Sequence, residues 1–460
     1  MSAVAAKKKV GRDLTEGNIL KTLLIFAIPI VLTNLIQQLY SMVDLIIVGQ
    51  FVGSTGTVGV ATGGEVSDLM TPIATAFASA GQIYIAQLFG AKDIDRVKKT
   101  IGTLLTLMLS ISFVCIIGTV IFHQTILDLL HCPSEALTQA TVYMIITTIG
   151  MPFIFGYNAV CGILRGMGES KWPLIFISVA AVVNVVADVF LVAVLKMEAA
   201  GTAIATVLSQ FGAFAAAFYY LYKHREEFDF ELKLSYFRLE KESLWIIIKL
   251  GIPQFVRVML VQSSMLWIKS NVNSYGLVVS ATNSVGDKIQ KFLNVFMNGV
   301  DAAAGAMIGQ NLGARKLDRA KKIVWNTFGC CICVATFSSF LALTIPKTLF
   351  GVFTSDPAVL ELGVTYMRIM VLAFFASACT GSFQSMVTGS GFVSLGFLIG
   401  ILDGVVCRIG FSLLFVYVFN QGAIGYFWGT AFSRTLPAVL CYAYFISGKW
   451  KTRKLLTGNK

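Results

Sequence analysis

Long apolar stretches set the first limit on how this chain can fold. One of them, LIFISVAAVVNVVADVFLVAVL (174–195), reaches the length of about 20 residues that crosses a lipid bilayer as an α-helix. The sequence holds about twelve such stretches, and no segment alternates like the strands of a membrane barrel. We therefore predict an all-α, polytopic membrane protein of about twelve transmembrane helices. The predicted spans are 19–50, 55–88, 101–127, 137–160, 173–195, 200–222, 244–270, 277–308, 323–350, 358–382, 392–418 and 422–447.

The basic residues give the predicted spans an orientation. Lysines and arginines cluster before the first span and after the even-numbered spans, for example in 7–12, 92–99 and 315–322, whereas the other loops hold almost none. By the positive-inside rule, both termini are cytoplasmic. The net charge of +12 is thus a topology signal, and we expect no nucleic-acid partner.

One hydrophilic phrase occurs twice. GAKDIDRVKK begins at Gly90 and GARKLDRAKK begins at Gly313, an offset of 223 residues. Other pairs keep this offset to within one residue: Pro29 with Pro253, and Tyr143 with Tyr366. A repeat of this length indicates two halves rather than an array of short units. We interpret the phrase as structural, with basic residues that anchor the inner surface and a Gly-Ala pair that opens a turn.

Each half contains about six spans, so both halves enter the membrane from the same side. They are therefore expected to be parallel repeats with the substrate at their interface. The charged segment KHREEFDFELKLSYFRLEKE is their natural boundary. We predict an N-terminal six-helix lobe (1–222), a cytoplasmic linker (223–242) and a C-terminal six-helix lobe (243–460), in a monomer.

Motifs for catalysis and metal binding are absent from the sequence. It has no GxxxxGK[ST] loop for ATP, no hydrolase triad, and no histidines at metal-ligand spacing. The nine cysteines stand singly in apolar segments or in the run CCIC, where cysteine behaves as a small hydrophobic residue. We expect no enzyme activity, no metal site and no cofactor other than a coupling ion.

Acidic residues inside spans are candidates for function because inserting them costs about 2.5–3.5 kcal/mol each. Counted from the ends of their apolar runs at 1.5 Å per residue, Asp44, Asp188 and Thr206 lie about 13, 11 and 8 Å below the outer face. Asn184 is one helical turn from Asp188. These four residues are expected to converge in the first lobe. Two close carboxylates there require a shared proton or a cation between them, so either H⁺ or Na⁺ could be the coupling ion.

The second lobe carries a different set of charges. Asp301, Asp403, Arg408 and Arg257 fall within its spans, and Asp403 and Arg408 are close enough on one helix to neutralise each other in part. Two interpretations stay open at this point. These residues either form internal ion pairs or line a polar pathway.

Several motifs resemble the multidrug and toxic compound extrusion (MATE) family over essentially the whole chain. They are QLYSMVDLIIVGQFVG, AQLFGAKD, GQNLGARK and GILRGMGESKWP. The resemblance implies twelve helices in two six-helix lobes and antiport of organic compounds against H⁺ or Na⁺. In the prokaryotic branch related to the DNA-damage-inducible members, it implies cation coupling at Asp44, Asn184, Asp188 and Thr206. The seventh span lacks the acid that other branches carry there, which leaves a cation site in the second lobe in doubt.

The sequence therefore predicts a cation-coupled antiporter that exports small organic compounds or drugs across the cell membrane. A flippase for lipid-linked or polysaccharide precursors is the alternative within transport. A membrane scaffold or sensor is disfavoured because the sequence contains no soluble domain that could report a signal.

Overall fold

The structure, a computed structural model, describes residues 12–130, 132–224, 238–453 and 455–458. The chain is 86% helical and has no strand among those residues, which confirms the predicted all-α class. The helices are α1 (Ile19–Phe51), α2 (Gly53–Gly90), α3 (Ile94–Leu129), α4 (Leu137–Ile149), α5 (Met151–Gly166), α6 (Lys171–Asp188), α7 (Glu198–Lys223), α8 (Lys241–Asn273), α9 (Leu277–Gly313), α10 (Leu317–Thr344), α11 (Pro346–Gly351), α12 (Pro357–Gly389), α13 (Val393–Ile401), α14 (Arg408–Leu413), α15 (Ile424–Phe432) and α16 (Thr435–Ser447). Three π-helical segments continue them: Val189–Val194, Leu402–Cys407 and Leu414–Val418.

Ten helical stretches of the described chain are long and apolar enough to cross a membrane. Helices α4 and α5 together make an eleventh candidate, bent by 44° close to Pro152, whose missing N–H interrupts the helical hydrogen-bond ladder. The last predicted span, 422–447, is divided between α15 and α16, and each part is too short to cross alone. The structure thus has ten or eleven candidate spans where the sequence predicts about twelve.

The chain forms two compact units whose limits fall inside two helices. The first unit contains Leu32–Gly251, and the second contains Leu14–Val31 together with Ile252–Lys460. The start of α1 therefore packs within the second unit, and the start of α8 packs within the first. Most of the predicted linker, residues 225–237, lies outside the described residues. The predicted division at 223–242 stays a prediction of where the two sequence repeats join.

Packing inside each unit repeats at equivalent positions. In the first unit, a Cβ atom on Gly63 of α2 would lie 3.2 Å from Cδ1 of Tyr143 on α4. In the second unit, a Cβ atom on Gly286 of α9 would overlap the ring of Tyr366 on α12. Each tyrosine therefore packs against a glycine, where the facing helix has no side chain. The two halves that the sequence repeat indicates thus contain the same contact between a glycine and a tyrosine on two neighbouring helices.

The repeated hydrophilic phrase forms the same turn in both halves. Lys92 and Arg315 have φ angles of 60° and 57°, a left-handed conformation that ends many helices. The backbone N–H of the following residue then reaches back to a helix carbonyl in both copies, Asp93 to Leu88 at 3.0 Å and Lys316 to Asn311 at 2.8 Å. These bonds satisfy carbonyl groups that the helix end leaves without partners.

The second copy of the phrase also holds the chain that leads into α1. Arg319 donates hydrogen bonds from Nη1 to the Gly17 carbonyl at 2.7 Å and from Nη2 to the Glu16 carbonyl at 2.6 Å. Lys316 Nζ donates to the Thr15 carbonyl at 3.0 Å and to its hydroxyl at 2.8 Å. The fully buried Leu14 anchors the same segment in the core of the second unit.

The first copy holds the start of α8 in a comparable way. Arg96, which occupies the position of Arg319 in the phrase, lies 3.6 Å from a carboxylate oxygen of Glu242. The Thr103 hydroxyl receives the backbone N–H of Glu240 at 3.1 Å. Glu240 in turn caps α8: burial would raise the pKa of its carboxyl, but hydrogen bonds from Ser243 and Glu242 lower that pKa on balance. Each copy of the phrase thus fastens the entry to the first helix of the other sequence repeat.

We expect Arg319→Gln to lower the thermal unfolding midpoint of the purified protein by a few degrees. The change removes two hydrogen bonds from a charged donor, each worth about 1 kcal/mol. Lys321→Gln is the matched control, since Lys321 lies exposed on the same helix. An equal loss in both variants would contradict the role assigned to Arg319.

Candidate functional site

Two carboxyl groups meet inside the first unit. Asp44 lies on α1 and Asp188 ends α6, and their carboxyl groups are within hydrogen-bonding reach of each other. Asp188 is fully buried, and neither of its oxygens has a donor among the described residues. Two carboxylate groups only accept hydrogen bonds, so this contact is favourable only with a proton or a cation between them.

Other polar groups without partners belong to the same unit. Asn184 is 1% exposed, and neither atom of its side-chain amide has a hydrogen-bond partner among the described residues. Thr206 and Thr202, one turn apart on α7, have buried hydroxyl oxygens that also lack a hydrogen-bond partner among the described residues. Buried polar groups in proteins almost always have partners, in the protein itself or in ordered water, so this concentration makes the region a candidate binding site.

Two tyrosines that the sequence did not single out as site residues border the acids. The Tyr143 hydroxyl lies beside Thr206, without a hydrogen bond of ordinary geometry, and interacts electrostatically with both Asp44 and Asp188. Tyr40, one turn before Asp44 on α1, receives a 3.4 Å hydrogen bond from the Gln210 side chain. From the sequence, Tyr143 is identified only as one member of a residue pair in the internal repeat. Its position against a glycine, which gives the ring a fixed place, is visible only in the structure.

The backbone is irregular where the site residues lie. The α-helix ends at Asp188 and continues as the π-helical segment Val189–Val194. A π-helical turn inserts an extra residue and changes the direction of the side chains around it, and such turns are frequent at functional sites. The structure therefore brings together Asp44 and Asp188, places Asn184 one turn away, and sets Thr206 beside Tyr143.

The first-unit site offers oxygen atoms alone as ligands. Carboxylate, amide and hydroxyl oxygens suit a hard cation such as Na⁺, and a carboxyl pair also suits a proton. No group of three or more His, Cys, Asp or Glu side chains in the described part of the chain is arranged to hold a metal ion. The chemistry that this site allows is the reversible binding of a small cation.

The charged residues of the second unit form ion pairs. Arg408 Nη2 lies 3.0 Å from Asp403 Oδ1, and Arg434 Nε lies 3.5 Å from Asp403 Oδ2. Arg434 follows α15 at the break before α16 and is not among the site residues predicted from the sequence. The predicted neutralisation of Asp403 by Arg408 is present, and the structure adds a second arginine to it.

Asp301 and Arg257 lie beside this ion-pair cluster. Arg257 interacts electrostatically with Asp403 and Asp301, and Asp301 interacts with Arg257 and Arg434. Neither residue makes an ion pair within 4.0 Å in the described part of the chain. All four residues predicted for the second lobe are thus in one neighbourhood, and that neighbourhood is rich in positive charge.

Polytopic helical proteins of two repeated halves, with acids inside their spans, form the class of secondary transporters. This chain belongs to the MATE family of multidrug efflux transporters: the family model MatE matches residues 29–190 and again residues 253–414. The double match confirms the internal repeat and the predicted family. It also confirms that the protein is a multi-pass membrane transporter and not an enzyme.

Relatives match along nearly the full chain. The probable multidrug resistance protein YpnP of Bacillus subtilis is 28% identical over 452 residues, which cover 97% of this chain and 99% of YpnP. The multidrug export protein MepA of Staphylococcus aureus (strain N315) is 21% identical over 426 residues, 92% of this chain and 93% of MepA. A solved structure of a multidrug resistance MATE family transporter in an outward-facing conformation has a TM-score of 0.88 at 20% identity. It covers 97% of this chain and 100% of that one.

We expect Asp403→Leu alone to destabilise the protein more than the double change Asp403→Leu with Arg408→Met. Removing one member of a buried pair leaves the other charge uncompensated, at a cost of about 3–5 kcal/mol, whereas apolar replacement of both members is often neutral. Thermal unfolding of the purified variants measures the difference. A double variant that unfolds at the same temperature as the single one would show that Arg408 does not serve to neutralise Asp403.

Proposed function

We propose that this MATE-family transporter exports small organic compounds and couples their export to the entry of H⁺ or Na⁺ at Asp44 and Asp188. The observation that carries the proposal is the contact between these carboxyl groups, which the described residues supply with no donor. The relatives YpnP and MepA, named as a probable multidrug resistance protein and a multidrug export protein, support the export of drugs. A flippase gains no support from the proteins reported above.

The coupling step is a change of charge at the first-unit site. Without a bound cation, Asp44 and Asp188 repel each other in surroundings of low dielectric constant. A proton or Na⁺ removes that repulsion and allows α1 to approach α6. Coupling requires the cation to bind one conformation more tightly than another, because a ligand of equal affinity for both shifts neither.

Helix α1 has a place at which it can respond. Pro29 lies inside the helix, where it removes one backbone hydrogen bond and allows bending. Asp44 is about four turns further along α1. We infer that binding of the cation at Asp44 changes the bend of α1 and so favours one state of the transport cycle.

The identity of the coupling ion follows from one experiment. The purified protein is placed in liposomes with either a pH gradient or a Na⁺ gradient, and movement of ethidium or fluorescein is followed by fluorescence. Transport driven by one gradient and not by the other identifies the ion. Failure of both gradients to move either dye would contradict the proposed coupling.

We expect Asp44→Asn and Asp188→Asn each to abolish gradient-driven transport, because either change leaves one carboxyl group where the site requires two. Thr206→Ala should retain part of the activity, since it removes a neutral ligand and no charge. Asp301→Asn should reduce transport less than either change at the first-unit site. The measurement is the initial rate of dye movement in liposomes that contain equal amounts of folded protein.

Asp128→Asn is the control for these variants. It makes the same chemical change at an exposed position near the end of α3, so wild-type transport is expected. Transport that persists in the double variant of Asp44 and Asp188 would refute the first-unit mechanism and move the cation site to Asp301 and Asp403.

The proposed orientation places both termini in the cytoplasm. The N-terminal basic cluster at 7–9 lies outside the described residues, but the basic phrases that begin at Gly90 and Gly313 lie at helix ends and support this orientation through the positive-inside rule. A fluorescent protein fused after Lys460 should fluoresce, and alkaline phosphatase fused after Ser274 should be active. The opposite pair of results would reverse the topology.

A further inference from the structure

Three arginines of the second unit converge on two aspartates. Asp403 accepts from Arg408 at 3.0 Å and lies 3.5 Å from Arg434. Arg257 and Asp301 interact electrostatically with this group over more than 4.0 Å. With both acids ionised, three positive charges face two negative ones. The cluster is therefore net positive, in a part of the chain where unbalanced charge is costly.

The arginines have more donors than the cluster has acceptors. Each guanidinium group carries five N–H donors, and each carboxylate oxygen of Asp403 is already occupied by one arginine. Arg408 is only 4% exposed, and its Nε has no partner among the described residues. Arg257 makes no hydrogen bond or ion pair in the described part of the chain either. An arrangement needed only to neutralise Asp403 would not require these further donors.

The guanidinium groups are held in place rather than loosely arranged. Arg434 Nη1 donates to the Ser377 hydroxyl at 3.2 Å, and its carbonyl accepts from the Thr380 hydroxyl at 3.0 Å. A Cβ atom on Gly400 would overlap the side-chain stem of Arg257, so this glycine leaves room for it. Fixed arginine groups bind oxyanions in two-pronged geometry and lose little entropy in doing so.

The residues of the cluster differ in their exposure. The Arg434 side chain is 33% exposed, against 5% for Arg408, and Arg257 and Asp301 are half-buried. Arg408 thus forms the closed end of the cluster, and Arg434 with Arg257 forms its accessible side.

We propose that Arg257, Arg408 and Arg434 bind the carboxylate, or a similar singly charged oxyanion group, of an organic molecule. Such a group supplies the missing acceptors and balances the one excess positive charge. The idea that this molecule is cargo rests on the proposed export function, whereas the binding site itself does not. A compound with both an anionic group and an apolar ring system fits this charge and the apolar helices around it.

The test compares two dyes that differ only at one carboxyl group, tetramethylrhodamine and its methyl ester. Binding to the full-length protein in phosphatidylcholine nanodiscs is measured by fluorescence anisotropy without any ion gradient. The wild-type protein should bind the free acid more tightly than the ester, by about tenfold. Because both dyes share the same rings and the same cation, the ratio of their dissociation constants reports the carboxylate alone.

Arg257→Gln and Arg434→Gln should bring that ratio close to one, and Arg257→Lys should restore part of it by returning the positive charge. Arg368→Gln is the matched control, since Arg368 is exposed on α12 and makes no ion pair in the described part of the chain. A variant that simply folds poorly loses both dyes and keeps the ratio. The proposal would be overturned by equal binding of acid and ester by the wild-type protein. It would also be overturned by an unchanged ratio in both glutamine variants if these bind the ester as tightly as the wild-type protein does.

A second arm distinguishes a solute from a lipid headgroup as the source of the anion. Phosphatidylglycerol is added to the nanodiscs while tetramethylrhodamine binding is followed. Displacement of the dye in the wild-type protein supports an anionic headgroup at the arginines, and retention supports a solute. Carboxylate-selective binding without gradient-driven transport would sustain the arginine site and refute coupled export. Transport of ethidium without carboxylate-selective binding would support coupled export and refute the arginine site.

Discussion

A charge inside a membrane-spanning helix is stable only when another group compensates it, and the two units of this protein meet that requirement in different ways. In the second unit, Asp403 is compensated by Arg408 and Arg434 within the protein itself. In the first unit, Asp188 is fully buried, its oxygens receive no hydrogen bond from the described residues, and the carboxyl group of Asp44 is within reach. Asp403 in the second unit therefore has its countercharges within the protein, whereas our proposal assigns the countercharge of the first-unit acids to an exchangeable H⁺ or Na⁺.

Helices α1 and α8 are both held at their starts by the repeated hydrophilic phrase. The segment before α1 is fastened by Arg319 and Lys316 of the second phrase, and the start of α8 is approached by Arg96 of the first. Since the unit limits fall inside α1 and α8, each of these helices has its first part in one unit and its remainder in the other. Asp44 lies on the remainder of α1, beyond Pro29. A helix fixed at its start and weakened at a proline has one natural place to change shape, and that place precedes the acid.

The sequence predicted the helices because these depend on local patterns. The structure brings two of the four residues predicted for the first-unit site, Asp44 and Asp188, within reach of each other. Span length and basic residues define the helices, and the spacing of Asn184 and Asp188 by one turn is a property of any α-helix. The breaks within the helices could not be predicted from these local patterns. The bend between α4 and α5 lies close to Pro152, but the length of the apolar run does not show it. The same holds for the division between α15 and α16 and for the π-helical turn after Asp188. Arg434 lies at one of these breaks, which explains why its pairing with Asp403 was not anticipated. The count of about twelve spans exceeded the ten or eleven of the structure for the same reason.

Tyr143 and Tyr366 occupy equivalent positions in the two repeats but have different polar neighbours. Both rings pack against a glycine at equivalent positions. The Tyr366 hydroxyl donates to Asp287 on α9 at 3.2 Å, so it has an acceptor of its own. The position equivalent to Asp287 in the first repeat is Gly64, which offers no acceptor to Tyr143. The Tyr143 hydroxyl instead lies beside Thr206 and interacts with Asp44 and Asp188. Replacing one acceptor by glycine thus leaves a fixed tyrosine free to serve a neighbouring acid pair, while the helix contact that positions it is unchanged. Divergence between the halves has altered which group each tyrosine meets and has kept the packing that holds both.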